Sequence, residues 1–553
     1  MTGKPYTIGV DFGTLSARAV LCDSRSGRIL ATAESSYAHG VISEQLPSGT
    51  PLPPQWALQD PLDYLESLTA VVTSVMAQSG VVAQSVAAMA WDFTSCTVLP
   101  TTEEGTPLCA LPCWESQPHA YAKLWKHHAA QPQAGRMEAL ACAMNEPFLR
   151  RYGCRISSEW TYPKLLQILD EDPDLADATA YFLEGGDWLT WQLTGALHRN
   201  SCAAGFKQFW AADGALPSPS FLAALDPRFP ALAERTLRGE ILPPWEAAGT
   251  LTAQWAARLG LTTDTVVAAG IIDAHAAVIG SGVRHPGQAL MIVGTSGCQL
   301  LLHETPVSVS GVCGYAKDSI VPNLYAYESG QPCVGDVFDW FVRRSVPESY
   351  STQARTQGIN IHQLLTQQAA ALTPGRSGLV ALDWWNGQRS PFVDDDLSGV
   401  MLGPTLRTRP EEQYRALLES TAYGARLIFD TYHQAGIEAH EYIVCGGIAQ
   451  KNPLMMQIYA DVLGAPIRVS SGDQVCALGA AILAAAAARC HDSLYSAMDA
   501  MAAPTETEYL PNPRHSTVYN ELYSVYESAA HYFATKSDAM HRLMALRRGK
   551  DIL

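Results

Sequence analysis

Two short stretches carry the residue types that binding of phosphate groups asks for. "YTIGVDFGTLSARAVLCD" (6–23) is an apolar strand, a turn holding Gly13 and Thr14, and a second apolar strand, with Asp11 ending the first. "LMIVGTSGCQLLLHE" (290–304) repeats the plan with Gly294, Thr295 and Ser296 in the turn and no carboxylate. Gly13 permits the positive φ of a tight hairpin and leaves room for a ligand against the backbone. The N–H groups of Gly13, Thr14 and Leu15 then predict an anion-binding concavity. Asp11 cannot favour an anion by itself, but it can hold a hydrated Mg²⁺ that bridges phosphate oxygens. One carboxylate shared by two such turns suits a single triphosphate lying between them. Either hairpin alone reads better as an ordinary turn; the pair in matching contexts points to phosphate.

The second candidate is Asp273, in "VVAAGIIDAHAAVIGSG" (266–282). A strand runs into Gly270, and the carboxylate stands at the mouth of the next helix. On local grounds it reads as well as a helix cap. Beside two phosphate hairpins it reads as a base, which accepts the O–H of an attacking hydroxyl and takes its proton late.

These residues need a frame. Apolar strands are predicted near 6–11, 17–23 and 28–35, then a helix opened by Asp60 and Pro61, then the strand "VAAMAWDF" ending near Phe93. The second half repeats the order, with strands near 289–293, 298–302 and 323–328 and a helix in "VGDVFDWFVRR". Thr408 and Glu411 read as a capping box for a long helix stopping at Gly436. The strand "EYIVC" leads into Gly446-Gly447, a helix runs from Asn452-Pro453 to Gly464, and "PIRVS" and "CALGAAILAAAAARC" complete the alternation. Hairpin strands followed by alternating helix and strand, done twice, predict two α/β domains of related build with a cleft between them. The boundary falls near 280–287, giving domains 1–284 and 285–553.

Composition narrows the partners. The chain has 553 residues, 47% hydrophobic and 16% charged, which makes it globular and too long for one core. Its formal charge is 37 − 54 = −17, which argues against nucleic acid and anionic membranes as partners. The 13 cysteines are scattered without paired zinc spacing, as expected of reduced core thiols in a cytoplasmic protein. No leader precedes the first strand, and the longest apolar run, 477–488, is too short to span a bilayer. His119, His127 and His128 read as the surface of a helix in "KLWKHH", and "DDD" (394–396) as a solvated loop.

With the hairpins and Asp273 in place, the chain resembles the FGGY carbohydrate kinases of the sugar-kinase/actin/heat-shock ATPase superfamily, over essentially its whole length. "VCGGIAQKN" (444–452) resembles the adenosine motif and "NGQRSPFVDDDLSGVMLG" (386–403) the second signature of that family. Within it, "WDFTSCTVLP" (91–100), "PHAYAKLWKHHAAQ" (118–131), "EGGDWLTWQLTG" (184–195) and "NSCAAGFKQFW" (200–210) are similar to the L-ribulokinase branch. "CWESQPHA" departs from the W-x-D-x-R pattern of other branches, with Glu115 and Pro118 in place of Asp and Arg.

The resemblance implies two actin-like (ribonuclease H-like) domains and ATP-dependent phosphorylation of L-ribulose with Mg²⁺, in L-arabinose breakdown. It implies Asp273 as general base and Ser95, Asp92, Lys207, Asp273 and Glu328 around the sugar. ATP is expected against Gly13, Thr14, Gly294, Thr295, Ser296, Gly335, Asp339, Gly446, Gly447 and Asn452, with Mg²⁺ held through water by Asp11 and Asp273. Relatives are often homodimers, and no interface is legible in these residues. A kinase of another ketopentose or pentitol is the neighbouring reading. A non-kinase actin-like ATPase would need neither Asp273 nor Lys207.

Overall fold

The structure is a computed structural model that describes residues 3–548 apart from residue 473. Its first sheet begins with an antiparallel meander, β1 (Tyr6–Phe12), β2 (Ser16–Asp23) and β3 (Ile29–Ser36). Next to β1, and parallel to it, lies β4 (Val86–Phe93). Every residue of β4 is buried, as a parallel strand covered on both faces requires. β5 (Ala247–Thr250), β6 (Val266–Ala268) and β7 (Ile271–Ile272) complete the sheet in the order β3-β2-β1-β4-β6-β5, with β7 also on β4.

The second sheet contains β8 (Gln288–Val293), β9 (Gly297–His303), β10 (Gly314–Lys317), β11 (Tyr325–Gln331), β12 (Glu441–Cys445), β13 (Ile467–Ser470) and β14 (Thr505–Tyr509). Their spatial order is β10-β11-β9-β8-β12-β13-β14. Apart from the extra β10, order and strand direction repeat the first sheet: two antiparallel steps, two parallel steps, then one antiparallel edge. The duplication expected from the hairpins therefore extends through the whole sheet.

Helices join the parallel strands. α1 (Pro61–Ser79) is opened as expected by Asp60, whose side chain accepts from Leu62 N–H, and closed by Gly80 at positive φ. The Ala-rich α8 (Val475–Ala487) is buried among side chains of both sheets, including Val20, Ala88, Leu290 and Ile443. Its small side chains bring it so close to the first sheet that a Cβ on Gly9 would collide with the Ala477 carbonyl. A composition that reads as merely apolar is here an interface between the two halves.

Three local expectations change. "KLWKHH" is not a helix: Ala122–Lys123 is a strand in a separate four-stranded sheet with Leu58–Gln59, Val98–Thr101 and Tyr181–Glu184. His127 is fully buried there, with Nε2 3.0 Å from Gln167 Oε1 and its ring edge-on to Trp56. The long helix α5 (Pro410–Gln434) starts two residues after Thr408. Pro410 fixes its first turn, Glu412 reaches back to accept from Arg409 N–H at 2.7 Å, and the Thr408 hydroxyl accepts from Thr405 N–H. The strand expected near 323–328 runs from Tyr325 to Gln331. Among the described residues no helix is long and apolar enough to cross a membrane.

Candidate active site

The carboxyl ends of the parallel strands collect three acids. Asp11 on β1 lies in register with Asp92 on β4, and Asp92 with Ile271 on β7, two residues before Asp273. Phe12 and Phe93, one residue further on, stack at 5.0 Å and pin the two strand ends together. Asp273 is the first residue of α3 (Asp273–Gly280) and accepts from Ala274 N–H at 2.7 Å. Ile272, not Asp273, occupies the cap position.

Burial, and then the charge of Asp11, push the Asp273 carboxyl up to about 7. Burial also raises Asp11, offset by Arg18 opposite it on β2, whose Nη1 is 3.6 Å away. Burial, and then the fields of Asp11 and Asp273, raise Asp92 well above the usual carboxylate range, and both its oxygens are buried without a hydrogen-bond partner. Three acids at these strand ends, Asp92 buried and Asp11 and Asp273 partly exposed, suit a divalent cation, which would offset the field that Asp11 exerts on the other two. Among the described residues no three His, Cys, Asp or Glu side chains are close enough to hold an ion by themselves. The donor set thus fits a hydrated Mg²⁺ that keeps water and phosphate ligands.

Beside the acids lies a buried ion pair. Lys207, the last residue of α2 (Ser201–Lys207), points its ammonium at both oxygens of Glu328 on β11, at 2.9 and 2.8 Å. Despite the cost of burial, Glu328 holds Lys207 charged to higher pH than usual. Lys207 in turn draws the Glu328 carboxyl well below its usual range. Both charges are felt by Asp273. Helix α2 is aimed by Asn200, which accepts from Ala203 N–H and is itself held by Asp187.

Ser95 sits in the turn after β4, half-buried, its Oγ 3.2 Å from Cys96 Sγ. The turn is stapled by Lys164, which donates to Cys96 O at 2.6 Å and Leu124 O at 2.9 Å. Sequence reasoning missed both Lys164 and Arg18. Arg18 carried a signal, because a hairpin closing at Gly13 puts it opposite Asp11. Lys164 carried none.

Both hairpins close on the N–H of their first glycine, but with different turns: Gly13 N–H donates to Ser16 O across a four-residue loop and Gly294 N–H to Ser296 O across a three-residue loop, each at 3.0 Å. This corrects two expectations. Gly13 does not adopt positive φ, and its N–H is spent within the turn, leaving those of Thr14 and Leu15 for an anion. The Thr14 hydroxyl accepts from Trp125 Nε1 at 3.1 Å.

Around the second hairpin the other expected segments converge. Gly335 opens α4 (Gly335–Ser345) with its N–H on Gly294 O, and Val334 and Asp336 donate to Thr295 O. A Cβ on Gly446, whose φ is 109°, would strike the Val293 backbone. Gly447 opens the short α6 (Gly447–Lys451), and Asn452 caps α7 (Pro453–Leu463) by accepting from Met455 N–H at 3.1 Å. Asp339 is half-exposed and pairs with Arg343. A small pocket of about 240 Å³ lies between α6 and the strands β13 and β14, lined by Ala449, Gln450, Val469, Ser471, Thr507 and Tyr509.

Two models of one family match the chain in succession: the N-terminal domain of the FGGY family of carbohydrate kinases over residues 6–280, and its C-terminal domain over 289–488. The chain belongs to the FGGY family of carbohydrate kinases. It is 48% identical to a ribulokinase of Halalkalibacterium halodurans, covering 99% of this chain and 98% of the relative. It is 45% identical to a ribulokinase of Mycolicibacterium smegmatis, covering 99% and 97%. The fold matches the crystal structure of a xylulose kinase from Rhodospirillum rubrum with a TM-score of 0.78 at 22% identity, covering 96% of this chain and all of the other. A Plasmodium falciparum glycerol kinase with ADP matches with a TM-score of 0.75 at 17% identity, covering 95% and 98%. As a member of this family the chain is a sugar kinase with two actin-like α/β domains. Its Lys207 lies in the N-terminal family segment and its Glu328 in the C-terminal one.

Proposed function

We propose that this sugar kinase transfers the γ-phosphoryl group of ATP to L-ribulose, giving L-ribulose 5-phosphate, as a cytoplasmic step of L-arabinose breakdown. The observation that carries the reading is the buried Lys207–Glu328 pair beside Asp273, in a chain nearly half identical to ribulokinases over its full length.

In this reading the sugar lies between Ser95, Lys207, Asp273 and Glu328, with Asp92 at the back of the pocket. Glu328 receives a sugar hydroxyl on a lone pair left free by Lys207, so a substrate lacking that hydroxyl leaves a buried acceptor unpaired. Asp273 accepts the proton of the attacking hydroxyl and holds its oxygen in line with the phosphoryl group. ATP lies along Gly294, Thr295 and Ser296, with Gly335, Asp339, Gly446, Gly447 and Asn452 around its ribose and base and Gly13-Thr14 closing over the phosphates. Asp11 and Asp273 hold Mg²⁺ through water, and the ion supplies charge neutralisation between the phosphates. Movement of residues 1–284 against 285–553 excludes water from the γ-phosphate.

The test is a coupled ADP-release assay with Mg-ATP over L-ribulose, D-ribulose, D-xylulose, ribitol, L-arabitol and glycerol. The expected outcome is the highest kcat/KM for L-ribulose and low ATP hydrolysis without sugar. If D-xylulose or glycerol leads, the assignment of the pocket is wrong while the family stands.

A further inference from the structure

The acids and the ion pair leave one buried group without a role. His275, the third residue of α3, has no exposed surface. Its Nδ1 lies 2.8 Å from the Cys202 thiol on α2, and the Phe206 ring packs at 4.4 Å. Its Nε2 is buried without a hydrogen-bond partner and stands 3.3 Å from Glu328 Oε2. The four side chains thus form a row, Cys202, His275, Glu328, Lys207, whose ends come from the same short helix.

The tautomer of the ring follows from its neighbours. Nε2 faces a carboxylate whose other partner is an ammonium, so a proton on Nε2 is attracted and a bare lone pair there would be repelled. Nδ1 must then accept, and the atom facing it can donate: burial holds the Cys202 thiol protonated. Glu328 therefore has the Lys207 ammonium on one side and the His275 N–H on the other, and its remaining lone pairs have one orientation.

We infer that His275 is a positioning residue for sugar recognition: Cys202 sets its tautomer, and its Nε2–H turns the Glu328 carboxylate toward the substrate hydroxyl. The contact at 3.3 Å tightens when the pocket closes on sugar, as such bonds do between free and liganded enzymes. The inference rests on the reading of Glu328 as a sugar ligand.

Two amides separate positioning from packing, because Gln places its N–H₂ near the position of Nε2 and Asn near that of Nδ1. His275→Gln, His275→Asn, Cys202→Ala and Glu328→Gln would be compared with wild type in the full-length protein. The readouts are KM for L-ribulose, KM for Mg-ATP, kcat and Tm. Expected are a rise in ribulose KM of about tenfold or more in His275→Asn, with Mg-ATP KM within threefold of wild type. His275→Gln should recover ribulose KM to within about threefold, and Cys202→Ala should fall between. Equal ribulose KM in the Gln and Asn variants overturns the inference, as does a loss shared equally by ribulose KM, Mg-ATP KM and kcat. The Glu328→Gln control separates the two failures. If it leaves ribulose KM unchanged, the reading of Glu328 is wrong and the inference falls with it. If it raises ribulose KM while His275→Asn does not, the inference alone is wrong.

Discussion

Lys207 Nζ stands 2.9 and 2.8 Å from the two oxygens of Glu328, a residue 121 positions further along the sequence. Each side chain is largely withdrawn from solvent, 6% and 16% exposed. A pair of this kind is weak evidence for stability, because desolvating both charges offsets their attraction. Breaking it is another matter. Lys207→Met or Glu328→Gln alone leaves an uncompensated buried group and should cost about 3–5 kcal/mol for the lysine change, less for the isosteric one. The double variant should recover most of the stability without recovering sugar affinity. Chemical denaturation and ribulose KM on the three proteins check this; a double variant no more stable than Lys207→Met would mean the charges are held by something else.

Asp273 carries the proposed proton transfer. Asp273→Asn keeps the shape of the side chain and its acceptor oxygen for Ala274 N–H, but removes the base. Expected is a fall in kcat of about 10²–10⁴-fold with L-ribulose binding retained in calorimetry. A variant turning over within tenfold of wild type would show that alignment suffices without this carboxylate.

Asp11 tests the metal separately. With Arg18 only 3.6 Å away, Asp11→Asn removes one acid from the cluster and leaves a cation beside the phosphate site. The half-saturating Mg²⁺ concentration should rise about tenfold or more at fixed ATP, while sugar binding without nucleotide stays as in wild type. An unchanged Mg²⁺ dependence would place the ion elsewhere.

How much of this was legible follows the range of each interaction. The hairpins, the Asp60 and Asn452 caps and the strand ending at Phe93 depend on neighbours within a few residues, and sequence pattern found them. Thr408 failed because its hydroxyl is engaged on the preceding turn, at Thr405 N–H, and Pro410 fixes the helix start. Glu328 and Lys207 were reached only through family resemblance, since no local pattern links residues so far apart. The pairing of Arg389 with Glu159 at 3.3 Å, 230 positions away, and the staple from Lys164 to Cys96 O were not reached at all. His127 misled because alternation in "KLWKHH" cannot reveal a sheet whose other strands lie at 58–59, 98–101 and 181–184.

Gly9 gives a prediction about the interface of the two halves. It lies mid-strand on β1, where a side chain would meet the Ala477 carbonyl and the Ala481 N of α8. Neither backbone can yield without moving the helix. Gly9→Ala should therefore destabilise by about 1–3 kcal/mol or more, whereas Gly447→Ala, whose Cβ meets nothing within 4 Å, should not. Tm measured on both variants checks this, and equal values would mean that α8 shifts without cost.

Lys123 supplies a pH dependence away from the metal site. Its fully buried ammonium lies 2.9 Å from His119 Nδ1 and over the Trp56 ring, and burial pushes it down to about 7 from an ordinary 10.5. Between these two values the unfolded chain binds more protons at this site than the folded one, so the site's contribution to stability rises with pH. Its neutral form gives the full contribution above about 10.5, which is lost progressively as pH falls toward 7 and then stays constant below. Lys123→Met removes the titration and keeps most of the apolar stem. The difference in Tm, wild type minus Lys123→Met, should be more positive at pH 9.5 than at pH 7. Taking the difference removes titrations elsewhere in the chain. A difference that does not change with pH would mean that the Lys123 ammonium is solvated or paired well enough to keep its ordinary proton affinity.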